Sequence, residues 1–96
     1  MNIKFTKDSD ILNVALEGRL DSTTAPEFEK MLCQNYDGAG ALTIDCEKLV
    51  YISSAGLRVL LGAHKKTNGA MKLTHVGELV MEVFEMTGFA DILTIE

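Results

Sequence analysis

Ser53-Ser54-Ala55-Gly56-Leu57-Arg58 places two adjacent hydroxyls at the start of a segment in which Leu57, Leu60, Leu61 and His64 recur three and four apart. That spacing predicts a helix beginning near Ser53-Ser54. A helix N-terminus carries about half a positive charge and several unpaired N–H donors, so it accepts an anion readily. A serine there can cap the helix, or it can carry a phosphoryl group that adds about −1.5 to −2 charges without unfolding it. Helix physics alone makes either serine a cap and does not choose between them. Arg58, four residues after Ser54, belongs one turn further along the same face. It would either clamp a phosphate on Ser54 or pair with an acidic group of a partner.

No other chemistry has comparable support. A Gly-x-Ser-x-Gly elbow, a Walker motif and a Gly-x-Gly-x-x-Gly fingerprint are all missing from the sequence, so neither intrinsic catalysis nor a bound cofactor is expected. His64 fits the buried stripe of its helix, and His75, at a strand end, has no partner by motif. Cys33 and Cys46 form no C-x-x-C pair and have no metal-ligand spacing to either histidine. Both are expected to pack as small apolar side chains in a reducing cytoplasm. A phospho-aspartate receiver would use Asp45, but it needs an acidic pair after the first strand, and Lys7-Asp8-Ser9-Asp10 falls in a hairpin turn.

The chain has 96 residues and a formal charge of −5, from nine Lys and Arg against fourteen Asp and Glu. The length predicts one domain over residues 1–96, with room for one ordinary core. The charge argues against a nucleic-acid binder, which needs a clustered basic surface. No apolar run approaches the ~20 residues of a membrane span, and Met1–Phe5 lacks the apolar region of a signal peptide. A small cytoplasmic partner-binding module, not an enzyme, is the expectation.

The elements that must hold the serines follow from periodicity. Ile3 and Phe5, then Leu12, Val14 and Leu16, alternate with polar residues across the Lys7–Asp10 turn and predict a hairpin. Gly18–Thr23 reads as a loop. Thr24-Ala25-Pro26-Glu27 has the capping-box form, leading a helix with the stripe Phe28, Met31, Leu32, Tyr36 and an end at Asp37–Gly40. Leu42–Cys46 reads as a short central strand parallel to a later one. After the Ser53-Ser54 helix, Asn68-Gly69 is a stop and Met71–Thr74 a strand. Leu79, Val80, Val83, Phe84 and Thr87 line a third helix, Gly88-Phe89 suits a Schellman ending, and Ile92–Ile95 is a last strand. The order is β-β-α-β-α-β-α-β. It predicts an α/β domain with a mixed, largely parallel sheet of four to five strands and helices packed on it.

Gly18-Arg19-Leu20-Asp21 after a hairpin, Tyr51-Ile52-Ser53-Ser54-Ala55-Gly56-Leu57 opening a helix, Gly69 before a strand and Thr87-Gly88-Phe89 after the third helix together resemble the STAS family. The similarity covers essentially the whole chain. A free-standing domain of this size resembles the bacterial anti-sigma factor antagonists. The resemblance implies a partner that is both an anti-sigma factor and a serine kinase, and a serine phosphatase that resets the switch. By position it makes Ser54 the expected phosphoacceptor, with Ser53 the second choice, and it adds Asp21, Ser22, Thr23, Gly56, Leu57 and Arg58 to the partner surface. Ser53 stands where the family usually has aspartate. Some STAS domains of this kind serve instead as accessory subunits of lipid-transporting ABC complexes or as scaffolds of stress-signalling assemblies, roles that do not require phosphorylation. The charges also divide along the chain: Lys48–Gly77 carries five basic residues and no acidic one, and Glu78–Glu96 five acidic and no basic one.

Overall fold

A computed structural model describes residues 1–96 except Ala39, so that residue of the expected Asp37–Gly40 terminator lies outside the described residues. Period-2 alternation builds the sheet. Leu12, Val14 and Leu16 of β2 (Ile11–Leu20), Leu42, Ile44 and Cys46 of β3 (Ala41–Ile52), and Met71 and Leu73 of β4 (Met71–Thr74) are buried. The intervening Asn13, Ala15, Thr43, Asp45 and Lys72 stay partly open. Alternate side chains leave a strand on opposite faces, so this pattern specifies a sheet covered on one side. The cover comes from α1 (Ala25–Asn35), α2 (Ser54–Lys66) and α3 (Glu78–Thr87), through Phe28 and Leu32, Leu57, Val59, Leu60 and Ala63, and Val80 and Phe84. With β1 (Asn2–Asp8) and β5 (Thr94–Ile95) the sheet runs β1-β2-β3-β4-β5, antiparallel between β1 and β2 and parallel elsewhere. The expected element order is the observed one.

Two strands run longer than periodicity indicated. Gly18, Arg19 and Leu20, expected in a loop, continue β2 and pair with Leu49, Tyr51 and Ile52. β3 extends well past Cys46 because its register against β2 slips twice, once between Ala15 and Glu17 and once between Gly18 and Arg19. Each slip gives β3 one extra residue, a bulge that bends the strand. As a result Cys46, Leu49 and Ile52, three apart, all point into the core, while Val50 and Tyr51 are both exposed.

The Thr24–Glu27 capping box does not form. Thr24 already has helical dihedrals (φ −93, ψ −24) and makes no side-chain cap bond. Its hydroxyl donates to Arg19 O at 2.7 Å and accepts from Asp21 N at 2.9 Å. Asp21, three residues earlier, does the capping: its carboxylate accepts from the N–H groups of Thr23 and Thr24 at 3.0 and 3.1 Å. The turn it nucleates closes with Ala25 N donating to Asp21 O at 2.8 Å.

Smaller departures follow from where each helix's buried arc lies. In α2 the arc is centred on Gly56, Val59, Leu60 and Ala63, which leaves Leu61 and His64 half-buried. In α3 Leu79 and Thr87 are exposed, while Met31 of α1 and Tyr36, just past its end, are half-buried. Cys33 is exposed rather than packed, in the groove between α1 and α2, where Lys66 Nζ lies 3.4 Å from its Sγ. The Asn68-Gly69 stop forms as expected, with Gly69 left-handed (φ +84) and its N–H donating to His64 O at 2.9 Å. Gly88 is left-handed too, but a 3-10 turn over Phe89–Asp91 follows it, which shortens β5 and leaves Ile92 exposed.

Candidate functional site

The end of β2, the loop that follows it and the start of α2 meet at one corner of the sheet. Ser53 N donates to Leu20 O at 2.9 Å, and Leu57 N donates to Ser53 O at 2.9 Å. Gly56 permits this closeness. A Cβ there would lie 2.8 Å from Leu20 Cγ, 2.9 Å from Ile52 Cγ1 and 2.9 Å from Leu20 O. The first turn of α2 therefore rests directly on the end of β2 at Leu20, the residue that leads into Asp21, Ser22 and Thr23.

The two serines have different surroundings. Ser53 is the extended N-cap residue (φ −103, ψ 176), yet its side chain makes no cap bond, and its Oγ is enclosed without a hydrogen-bond partner. Ser54 is the first helical residue and is exposed. Neither hydroxyl caps the helix. The first turn of α2 holds no acidic residue, and the last turn holds His64, Lys65 and Lys66. The basic end complements the helix dipole, while the positive end meets no carboxylate of its own.

The other expected site residues divide by depth. Ser22, Thr23 and Arg58 are exposed, and Asp21 is half-buried. Among the described residues no carboxylate pairs with Arg58. Gly56 and Leu57 are buried and support the surface from beneath. The Asp21 carboxyl is held below the ordinary aspartate range, chiefly by the Thr24 and Thr23 N–H groups, which outweigh the opposing desolvation, with lesser help from the Thr24 hydroxyl and the Arg19 charge. Two neighbours escaped the sequence reading. Arg19 Nε lies 3.7 Å from Asp21 Oδ2, and its guanidinium stacks 4.2 Å from the Tyr51 ring centre. Arg19 and Tyr51 are register partners only once both β3 bulges are counted.

Among the described residues, one group could offer metal donors. Asp45, Glu47 and His75 bring ligand atoms within 4.8 Å of one another. His75 Nδ1 is 3.1 Å from Asp45 Oδ1, a hydrogen bond that gives the histidine a partner no motif indicated. The Cys46 thiol is pushed up to about 12 by burial and then by the Asp45 charge, so it stays protonated and is a poor nucleophile.

The fold and this corner place the chain in a defined class: the STAS domain family matches residues 2–96, and the chain belongs to it. BtrV of Bordetella bronchiseptica is 34% identical over 99 residues, which span 99% of this chain and 85% of BtrV. The anti-sigma-B factor antagonist of Bacillus subtilis is 28% identical over 98 residues, spanning 99% of this chain and 90% of that protein. Bacillus SpoIIAA, an anti-sigma factor antagonist solved in unphosphorylated and phosphorylated forms, shares the fold. Its TM-scores are 0.81 and 0.73 at 15% and 16% identity, over 99% of this chain and 88% and 91% of those chains. No helix among the described residues is long and apolar enough to cross a membrane.

Proposed function

We propose that this protein is an anti-sigma factor antagonist whose switch is Ser54. It binds an anti-sigma factor that is also a serine kinase, which frees the sigma factor; phosphorylation of Ser54 then ends the complex, and a serine phosphatase restores it. Its own contribution is binding, and its partners supply the catalysis. One observation carries the choice of residue: of the two motif hydroxyls, Ser54 is exposed, and the Ser53 Oγ is enclosed. A kinase must bring Oγ in line with the γ-phosphoryl group of ATP, and an enclosed hydroxyl cannot reach that position.

The chemistry at Ser54 is a phosphoryl transfer. Its Oγ bonds to the γ-phosphorus, ADP leaves, and the hydroxyl proton passes to a base of the kinase. In the reverse step, phosphatase-bound water hydrolyses the ester to serine and phosphate. The added −1.5 to −2 charges sit at the positive end of α2, with no first-turn carboxylate opposing them and Arg58 one turn along. Serine at position 53, in place of the family's usual aspartate, keeps a carboxylate out of that first turn. The domain thus tolerates the phosphate without refolding, and the complex does not. The partner would have to desolvate a dianion, close to an Asp21 carboxylate already held ionised. A penalty of about 2.8 kcal/mol suffices for a hundredfold loss of affinity.

The test incubates the wild type, Ser54→Ala and Ser53→Ala with the kinase-type anti-sigma factor of the same organism and ATP, and maps phosphate by mass spectrometry. One phosphate on the wild type and on Ser53→Ala, with none on Ser54→Ala, is the expected result. Phosphate persisting on Ser54→Ala would move the switch elsewhere. No phosphate on any of the three would favour a transporter-accessory or scaffold role.

A further inference from the structure

We propose that the partner surface continues past Ser54 onto the outer side of α3, where Val50, Tyr51, Leu79, Val83 and Met86 form a shelf for a partner segment with apolar side chains flanked by basic ones. This rests on the function proposed above and extends it to the partner's chemistry.

Leu79, Met86 and Val50 are 70%, 86% and 60% exposed, and Tyr51 is 40% exposed. A shallow groove between the end of β3 and α3 is lined by these four side chains with Ile52, Val80, Glu82 and Val83. Two unrelated features create it. The second β3 bulge turns Val50 and Tyr51 outward together, where an unbroken strand would bury one of the pair. On α3, Leu79 and Met86 are seven residues apart and so share a face, although Val80 and Phe84 already supply the face that meets the core. Apolar side chains gathered on a surface that the core does not need mark a place where another molecule docks.

The occupant follows from position and charge. Val50 and Tyr51 lead through Ile52 directly into Ser53 and Ser54, so one strand end carries both the groove wall and the switch. A partner gripping Ser54 is thereby placed beside α3. Glu78, Glu82 and Glu85 of α3 are exposed, and no Lys or Arg occurs from Glu78 to Glu96. A second copy docking α3 on α3 would set these carboxylates against their like, and an anionic bilayer would meet the same repulsion. A segment with Lys or Arg beside its apolar anchors satisfies the groove and the acidic edge that α3 gives it, while Arg19, stacked on Tyr51, borders the opposite edge.

The test measures binding to the purified kinase-type anti-sigma factor of the same organism by calorimetry, using wild type, Ser54→Asp, the double variant Leu79→Ser/Met86→Ser, and Glu82→Lys. All four substituted side chains are exposed, and a thermal melt checks that each variant folds. The expected result is binding by the wild type, loss with Ser54→Asp, a roughly tenfold or greater loss with the double variant, and a smaller, salt-sensitive loss with Glu82→Lys. Wild-type affinity in the double variant, with Ser54→Asp still weakened, would overturn this inference and leave the switch standing. No binding by the wild type would remove the functional reading and this inference with it. Concentration-dependent dimerisation of the wild type, abolished in the double variant, would assign the groove to a second copy and overturn the inference.

Discussion

A single methyl group at Gly56 should separate α2 from β2 and thereby loosen the switch. The alanine Cβ would lie 2.8 Å from Leu20 Cγ, 2.9 Å from Ile52 Cγ1 and 2.9 Å from Leu20 O. Carbon atoms attract at about 3.5–4.0 Å, so all three contacts are repulsive. Leu20 and Ile52 are at most 2% exposed and have little room to retreat. Leu20 O is backbone and is itself fixed by the Ser53 N–H at 2.9 Å. Relief must therefore come from moving the first turn of α2. Overpacking of this kind costs about 1–3 kcal/mol, partly offset by the ~0.5–1 kcal/mol that alanine gains over glycine in a helix. A net loss of up to about 2.5 kcal/mol remains, or up to roughly 20 °C in Tm for a domain of this size. Gly62, in the same helix, is the control: nothing lies within 4 Å of its Cβ position. Gly62→Ala should raise stability by about 0.5–1 kcal/mol. Both variants would be unfolded in urea and by heat, with the anti-sigma factor affinity measured alongside. Gly56→Ala as stable as Gly62→Ala would refute the close-approach argument.

Three further outcomes follow from the same corner and its surroundings. Ser53→Ala should leave stability unchanged or raise it by up to about 1 kcal/mol in urea unfolding, because an enclosed hydroxyl without a partner is removed; a clear loss would mean that the Oγ has a partner. Asp21→Ala should lower stability at neutral pH, as for a lost cap. The folded-state carboxyl pKa is lowered, so this contribution is full above the ordinary aspartate range and falls away as pH drops through and below it; pH-dependent melts should show wild type and variant converging in acid. A gap that widened in acid would contradict that sign. An aromatic disulfide reagent should titrate one thiol per native chain, the exposed Cys33, and two in denaturant, because Cys46 is buried and pushed up to about 12. Two fast thiols in the native protein would contradict the packing of β3.

Most of the architecture was legible because it rests on strong periodicity. The alternation through Leu12, Val14 and Leu16 and the helical spacings fix the elements and their order, and the sheet follows from βαβ handedness. What failed to show had local causes. The second half of β3 does not alternate: the core residues Cys46, Leu49 and Ile52 keep a spacing of three that only two bulges reconcile with a strand. That spacing was itself the available signal for the bulges, and with it for the Arg19–Tyr51 stack and the Val50–Tyr51 exposure. The capping box misled because Asp21, three residues before Thr24, takes the Thr24 N–H that the Glu27 carboxylate would have reached, while the Thr24 hydroxyl is engaged by Arg19 O and Asp21 N. At the site, the motif brought Ser53 and Ser54 together in sequence. Separating them needed the third dimension, because which hydroxyl is enclosed depends on how tightly Gly56 lets α2 settle on Leu20.

The proposed function rests on one charge at Ser54 deciding whether the complex exists. Its most direct test compares the affinity of the kinase-type anti-sigma factor for the unmodified protein and for the same protein carrying phosphate on Ser54, in one buffer and with nucleotide held constant. The phosphorylated form should bind about a hundredfold or more weakly, a difference of about 2.8 kcal/mol, while its circular dichroism spectrum stays that of the unmodified domain. Equal affinities for the two forms would contradict the claim.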